Sequence, residues 1–117
     1  MAKKILVVDD VQEDLQTMKQ ILENKGYEVT AVADGAIAYD HVENDDFDLV
    51  LLDIKMPTLS GYDLLKLLRS KLNHNIKLVY ITIIPKQEVD MTDADGVVQK
   101  PFSPESLLQV VNEQLGD

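Results

Sequence analysis

The stretch Lys4-Ile5-Leu6-Val7-Val8-Asp9-Asp10 decides how this chain is read. Four consecutive apolar residues, three of them β-branched, end abruptly in two acids. Strict alternation would mark a strand with one wet face, whereas a continuous apolar run marks a strand covered on both faces. Short runs of similar character follow at Val29–Val32, Leu49–Leu52, Leu78–Ile81 and Val97–Val98. Lys3 and Lys4 precede the first run as in a secretion signal. That run stops at Asp9, far short of a signal core, so it reads as a strand.

Between the runs lie segments with helical spacing. The first carries Val11, Leu15, Met18 and Leu22 on one face, with Gly26 as its stop. The second starts near Asp34 as N-cap and ends at Asn44-Asp45-Asp46. Its Ala38, Tyr39 and Val42 point inward and Ile37 outward, and the acidic run Asp40 to Asp48 reads as a solvated helix end and loop. The third starts near Gly61 and aligns Leu64, Leu65, Leu68 and Leu72. The last has Ser103 as N-cap, Pro104 at the first helical position, and a buried stripe of Leu107, Leu108, Val111 and Leu115. The fourth interval differs: Pro85 to Asp95 is only 11 residues. Two loops of about 2–6 residues leave room for one or two turns, so a short or irregular helix is expected there.

Five strand–helix units predict an α/β fold, a doubly wound five-stranded parallel sheet in the order 2-1-3-4-5, as in flavodoxin-like proteins. Residues 1–117 are expected to form a single domain. Ligands of such folds bind at the carboxyl ends of the strands, near the switch point between strands 1 and 3. Composition narrows the function. Hydrophobic residues make up 45% of the chain, enough for a core, and 11 Lys+Arg against 21 Asp+Glu give a net charge of −10. That charge repels phosphate backbones and argues against direct nucleic-acid binding. With no Cys, disulfides, thiolate metal sites and cysteine nucleophiles are excluded. No apolar run approaches the ~20 residues that cross a bilayer. The expected location is the cytoplasm.

The strand ends carry the chemistry. Strand 1 ends in Asp9-Asp10, strand 3 in Asp53, strand 4 in Thr82 and strand 5 in Lys100. Strand 2, at the sheet edge, has no such residue. Two carboxylates ~4 Å apart repel by about 4 kcal/mol at an effective dielectric of ~20, so the cluster calls for a cation. Oxygen ligands without His or Cys suit Mg²⁺ or Mn²⁺. A carboxylate can attack phosphorus to give an acyl phosphate. Lys100 offers a fixed positive charge and Thr82 a hydrogen bond to a phosphoryl oxygen. In isolation Asp9-Asp10 also reads as a helix cap, and Thr82 as a buried β-former. His41 and His74 lack partners at ligand spacing and are expected to be exposed and without a role.

In these pieces the chain resembles the response-regulator receiver domains (CheY-like) of two-component signalling. The matching segments are Val7-Val8-Asp9-Asp10, Asp53-Ile54-Lys55-Met56-Pro57 with Gly61 following, Thr82, and Lys100-Pro101-Phe102, together spanning Lys3 to Leu115. The resemblance implies Asp53 as phosphoacceptor. It implies a metal held by Asp9, Asp10, Asp53 and the Lys55 backbone carbonyl, with Thr82 and Lys100 on the phosphoryl group. It implies a histidine kinase or phosphotransfer protein as donor, an output protein as target, and admits a homodimer. Such a domain is not an enzyme beyond catalysing its own phosphorylation and dephosphorylation. The Lys100–Pro101 bond is commonly cis in this family.

Three positions depart from the family pattern. Ile83 stands where a small residue usually follows the Thr, and is expected over the mouth of the site. Val97 replaces an aromatic three residues before the Lys. The fourth interval, part of the usual output face, is short. These features support an alternative, a pseudo-receiver that binds partners independently of phosphorylation. A haloacid-dehalogenase-type phosphohydrolase would separate its first-strand acids by one residue, whereas here they are adjacent and followed by Val11. Flavodoxin-like cofactor binding lacks its phosphate loop after strand 1.

Overall fold

A computed structural model describes residues 2–71 and 76–116. The elements follow in the order β1 (Lys4–Val8), α1 (Gln12–Asn24), β2 (Glu28–Val32), α2 (Gly35–Asn44), β3 (Leu49–Asp53), α3 (Gly61–Lys71), β4 (Lys77–Thr82), a 3₁₀ turn (Lys86–Glu88), β5 (Gly96–Gln99) and α4 (Pro104–Leu115). The five strands form one parallel sheet in the order β2-β1-β3-β4-β5, as expected.

Two apolar clusters cover the sheet. Leu6, Val8, Val50, Leu52, Leu78 and Tyr80 face α2 and α3. Ile5, Val7, Leu49, Leu51, Val79 and Ile81 face α1 and α4. The central strands therefore bury both faces, which is why their sequences are continuously apolar. The helices have 13, 10, 11 and 12 residues. Isolated helices shorter than ~12–15 residues are marginal in water, so packing on the sheet rather than propensity holds them.

Local signals behave as read at several ends. Gly26 takes φ +92° and closes α1, with Gly26 N donating to Glu23 O and Tyr27 N to Leu22 O. The Asp34 side chain accepts from Ala36 N and Ile37 N at the start of α2. Ser103 and Ser106 form a reciprocal cap on α4.

Four expectations need correction. Val11 does not join the buried face of α1: it is the N-cap, 44% exposed, held extended while its N–H donates to Asp9 Oδ1 at 2.9 Å. The acidic run Asp40 to Asp48 is not uniformly solvated. Asp48 accepts from Lys4 N, the Lys4 ammonium pairs with Asp45, and Phe47 is buried beneath them. His41 is half-buried rather than exposed. Leu107 and Val111 are buried on α4, while Leu108 and Leu115 are only half-buried. Leu72 and His74 lie outside the described residues.

The short fourth connection is a single 3₁₀ turn. Arg69 of α3 secures the chain that follows it. Its guanidinium donates to Asp93 O at 2.9 Å, Ile76 O at 3.0 Å and Asp95 Oδ2 at 2.6 Å. Asp95 Oδ2 also accepts from Leu78 N at 2.8 Å, tying the loop to the start of β4. One side chain thus joins three segments that a full helix would otherwise hold by packing. Replacement by Ala removes all three bonds and leaves Asp95 Oδ2 only its bond from Leu78 N. Charge-assisted hydrogen bonds contribute about 1.5–3 kcal/mol each in the favourable cases, so Arg69→Ala is expected to lower stability by ~2–3 kcal/mol. Urea unfolding measures it, and a loss below ~0.5 kcal/mol would mean the latch is idle.

Candidate functional site

The sheet register assembles the site. Val8 pairs with Leu52 across β1 and β3, so Asp9 and Asp53 leave neighbouring strands at the same level. Adjacent strands are ~4.8 Å apart, and side chains alternate between faces. Asp9 shares a face with Ile5 and Val7, and Asp53 with Leu49 and Leu51. Lys100 follows Val98 by two residues and falls on that face too. Three charged side chains from three strand ends therefore converge above the α1/α4 side of the sheet.

Lys100 Nζ lies 2.8 Å from Asp9 Oδ2, 3.0 Å from Asp14 Oδ2 and 3.8 Å from Asp53 Oδ2. Asp9, Asp53 and the Lys100 side chain are almost wholly withdrawn from solvent. Asp9, Asp10 and Asp53 each offer a carboxylate oxygen, all within 4.8 Å of one another. Asp10 Oδ1 is buried without a hydrogen-bond partner, and Asp9 Oδ2 meets the Lys100 ammonium without a well-aligned hydrogen bond. Three converging hard oxygen donors, one of them orphaned, fit a divalent cation of the Mg²⁺ or Mn²⁺ kind.

The loop after Asp53 is shaped by close backbone approach. Gly61 N donates to Ile54 O at 2.8 Å. A Cβ on Gly61 would lie 2.3 Å from Asp53 O, so α3 can begin here only with glycine. Thr58 in the same loop takes φ +74°, a left-handed conformation that costs a non-glycine residue about 1–2 kcal/mol. Lys55 lies exposed in this loop, two residues beyond Asp53. The Lys100–Pro101 bond is cis.

Thr82 is fully buried, one residue beyond the level of Asp53. Its hydroxyl accepts from Ile84 N at 3.0 Å and among the described residues has no hydrogen bond to the Asp53 or Lys100 side chain, while Thr82 O accepts from Lys100 N at 2.7 Å. Ile83 is 62% exposed, while Ile84 packs against the α2/α3 side of the core.

The chain matches the family model of the response regulator receiver domain over residues 5–112. It belongs to that family. The response regulator SaeR of Staphylococcus aureus is 38% identical over 117 residues, covering 95% of this chain and 50% of SaeR. This receiver domain thus spans about half the length of the curated relatives it matches. A CheY-like receiver domain protein from Methanospirillum hungatei superposes with a TM-score of 0.91 at 37% identity, over 99% of this chain and 95% of that one. The response regulator TrrA of Thermotoga maritima was solved with Mg²⁺ and BeF. It has a TM-score of 0.87 at 31% identity, over 96% of this chain and 98% of its own. TrrA was also solved in complex with the histidine kinase ThkA, at a TM-score of 0.87 and 32% identity, over 97% and 98% of the two chains.

Two residues at the site of this receiver domain escape the sequence reading. Asp14, in the first turn of α1, is the second partner of Lys100. Its place in the first turn of a helix that starts just after Asp9-Asp10 was the available signal. Gln99 Nε2 donates to both Thr82 O at 2.9 Å and Ile84 O at 2.8 Å. Nothing in the local sequence announces that clamp.

One ammonium cannot neutralise this many acids. Burial, and next the Asp9 charge, push the Asp53 carboxyl up to about 8, with Lys100 opposing. Burial works against the Lys100 charge, yet its close ion pairs with Asp9 and Asp14 hold its pKa above the ordinary lysine value. Asp53 binds its proton more tightly in the folded state. Its contribution to stability is therefore full below the unfolded carboxyl pKa near 3.8 and fades as pH rises towards 8. Metal-free protein is expected to lose stability across that window. Asp53→Asn should flatten the decline and add on the order of 2 kcal/mol at pH 8, half of the ~4 kcal/mol for a charge pair at 4 Å and a dielectric of 20. Thermal unfolding in EDTA across pH measures both; parallel curves would place the strain elsewhere.

Proposed function

We propose that Asp53 is the phosphoacceptor of this receiver domain, loaded by a histidine kinase or phosphotransfer protein with Mg²⁺ or Mn²⁺ present. The observation that carries this is a buried Asp53 beside the Asp9–Asp10 pair, with Lys100 Nζ 3.8 Å away. The TrrA complexes with Mg²⁺–BeF and with a histidine kinase support the same reading of this relative. An Asp53 carboxylate oxygen attacks the phosphorus of a phosphohistidine. A P–O bond forms, the P–N bond breaks, and its electron pair returns to the imidazole nitrogen. Hydrolysis reverses the loading: water attacks phosphorus, the bond to Asp53 oxygen breaks, and carboxylate, phosphate and a proton are released.

Asp9, Asp10, Asp53 and the Lys55 carbonyl hold the cation in this reading. When bound there, Mg²⁺ would supply positive charge that favours the Asp53 carboxylate and offsets the charge of the phosphoryl oxygens. Lys100 neutralises the transferred group, and Thr82 turns its free O–H towards it. The domain catalyses only its own phosphorylation and dephosphorylation, and the modified surface binds an output protein. Intact mass after incubation with acetyl phosphate tests the assignment. Wild type should gain one phosphoryl group only with Mg²⁺, and Asp53→Asn should gain none; a gain by the mutant refutes it.

The second reading is a pseudo-receiver that binds its partner regardless of phosphorylation. The Gln99 clamp on the backbone of Thr82 and Ile84 favours it, because that loop carries the phosphoryl ligand Thr82. No labelling of wild type under any metal condition would select it.

Ile83 bears on rates in the first reading. The phosphodonor and the hydrolytic water approach the same phosphorus, and a branched, 62% exposed side chain follows Thr82 directly. Ile83→Ala is expected to speed both loading from acetyl phosphate and loss of the phosphoryl group several-fold, with Mg²⁺ affinity unchanged. Unchanged rates would show that Ile83 stands clear of the path.

A further inference from the structure

We infer that Asp14 is a positioning residue that holds Lys100 on α1 in the unphosphorylated domain and must release it when Asp53 is phosphorylated. This rests on the reading of Asp53 as phosphoacceptor and goes beyond it. Lys100 Nζ has three donors. Its two nearest acceptors are Asp9 Oδ2 at 2.8 Å and Asp14 Oδ2 at 3.0 Å, while Asp53 Oδ2 waits at 3.8 Å, beyond hydrogen-bond distance. The ammonium is therefore drawn to the helix side of the site, away from the acceptor.

A phosphoryl group on Asp53 brings about −1.5 to −2 charge and three strong acceptor oxygens to the far side of Lys100. One N–H of Lys100 is free for them, but to place a second on them the ammonium must give up a present partner. Asp9 is fully buried and, with Oδ1 accepting from Val11 N, has only the bound cation besides Lys100 to balance its charge. The Asp14 side chain is 33% exposed and can take water instead. Asp14 is thus the partner whose release costs less. The exchange transfers one ammonium contact from the first turn of α1 to the phosphoryl group. Asp14 thereby slows loading and weakens the hold on a phosphoryl mimic, acting through Lys100 and touching neither donor nor acceptor.

Asp14→Asn keeps the shape and removes the charge. Glu13→Gln is the control, removing an equal charge from the same helical turn. Asp14→Asn should speed acetyl phosphate labelling and tighten beryllofluoride binding with Mg²⁺ by about 3- to 5-fold, the scale of a partly exposed ion pair. Glu13→Gln should leave both near wild type. The ¹⁵N resonance of the Lys100 ammonium should differ between wild type and Asp14→Asn in the free domain and coincide once beryllofluoride is bound. A merely structural role would shift it in both states. Wild-type labelling with unchanged or slower Asp14→Asn rates overturns the inference alone, as does equal acceleration by Glu13→Gln. Absence of wild-type labelling overturns this inference and the phosphoacceptor reading together.

Discussion

The rest of this structure depends on carboxylates held close together with too little positive charge among them. Asp9, Asp10 and Asp53 converge within 4.8 Å, Asp14 stands on the other side of Lys100, and a single ammonium serves the group. Such an arrangement opposes folding in the absence of a cation. It persists because the strands beneath it are fixed by two apolar clusters, each far larger than the electrostatic penalty at the strand ends. Burying one Val or Leu side chain stabilises by about 1.5–3 kcal/mol, so a few core residues offset the repulsion. In the proposed function this repulsion would make the site responsive, since positive charge arriving at the cluster favours the Asp53 carboxylate.

Geometry around Asp53 is set by backbone contacts more than by side chains. The absence of a Cβ at Gly61 lets α3 start against the Asp53 carbonyl. The left-handed Thr58 carries part of the loop's strain. On the opposite flank, Asp9 accepts from Val11 N and so positions the entry to α1, where Asp14 sits. Asp9 thus shapes the chain entering α1, but the helix-cap reading does not hold: Val11 is the N-cap and no side chain caps the helix.

The fourth connection departs most from the family pattern, and the structure shows what replaces its missing packing. Val97, buried on β5, pairs in register with Tyr80 on β4. Tyr80 packs edge-on against Tyr62, with ring centroids 5.4 Å apart at 79°, and Tyr62 accepts from Asp90 N. The large aromatic is thus on the neighbouring strand and is locked by a second ring. With Arg69 latching the loop and Gln99 clamping the chain after Thr82, this face is held by polar bonds between specific atoms. Such bonds form and break at discrete positions, unlike the graded sliding of one packed helix over another.

The sequence by itself determined the five strands, their order, and the placement of Asp9, Asp10, Asp53, Thr82 and Lys100 at strand ends. These features are local: continuous apolar runs stop at polar residues, and alternation along a strand assigns each side chain to a face. The shortness of the fourth interval was likewise legible from its residue count. Only the tertiary structure decided which acid shares Lys100, that Val11 lies outside the core, that Arg69 reaches Asp95, and that Gln99 grips the Thr82 backbone. Those contacts join elements distant in the chain. Their existence depends on strand register and on the rotation of α1 and α3 about their axes, which tertiary packing sets and local periodicity does not record.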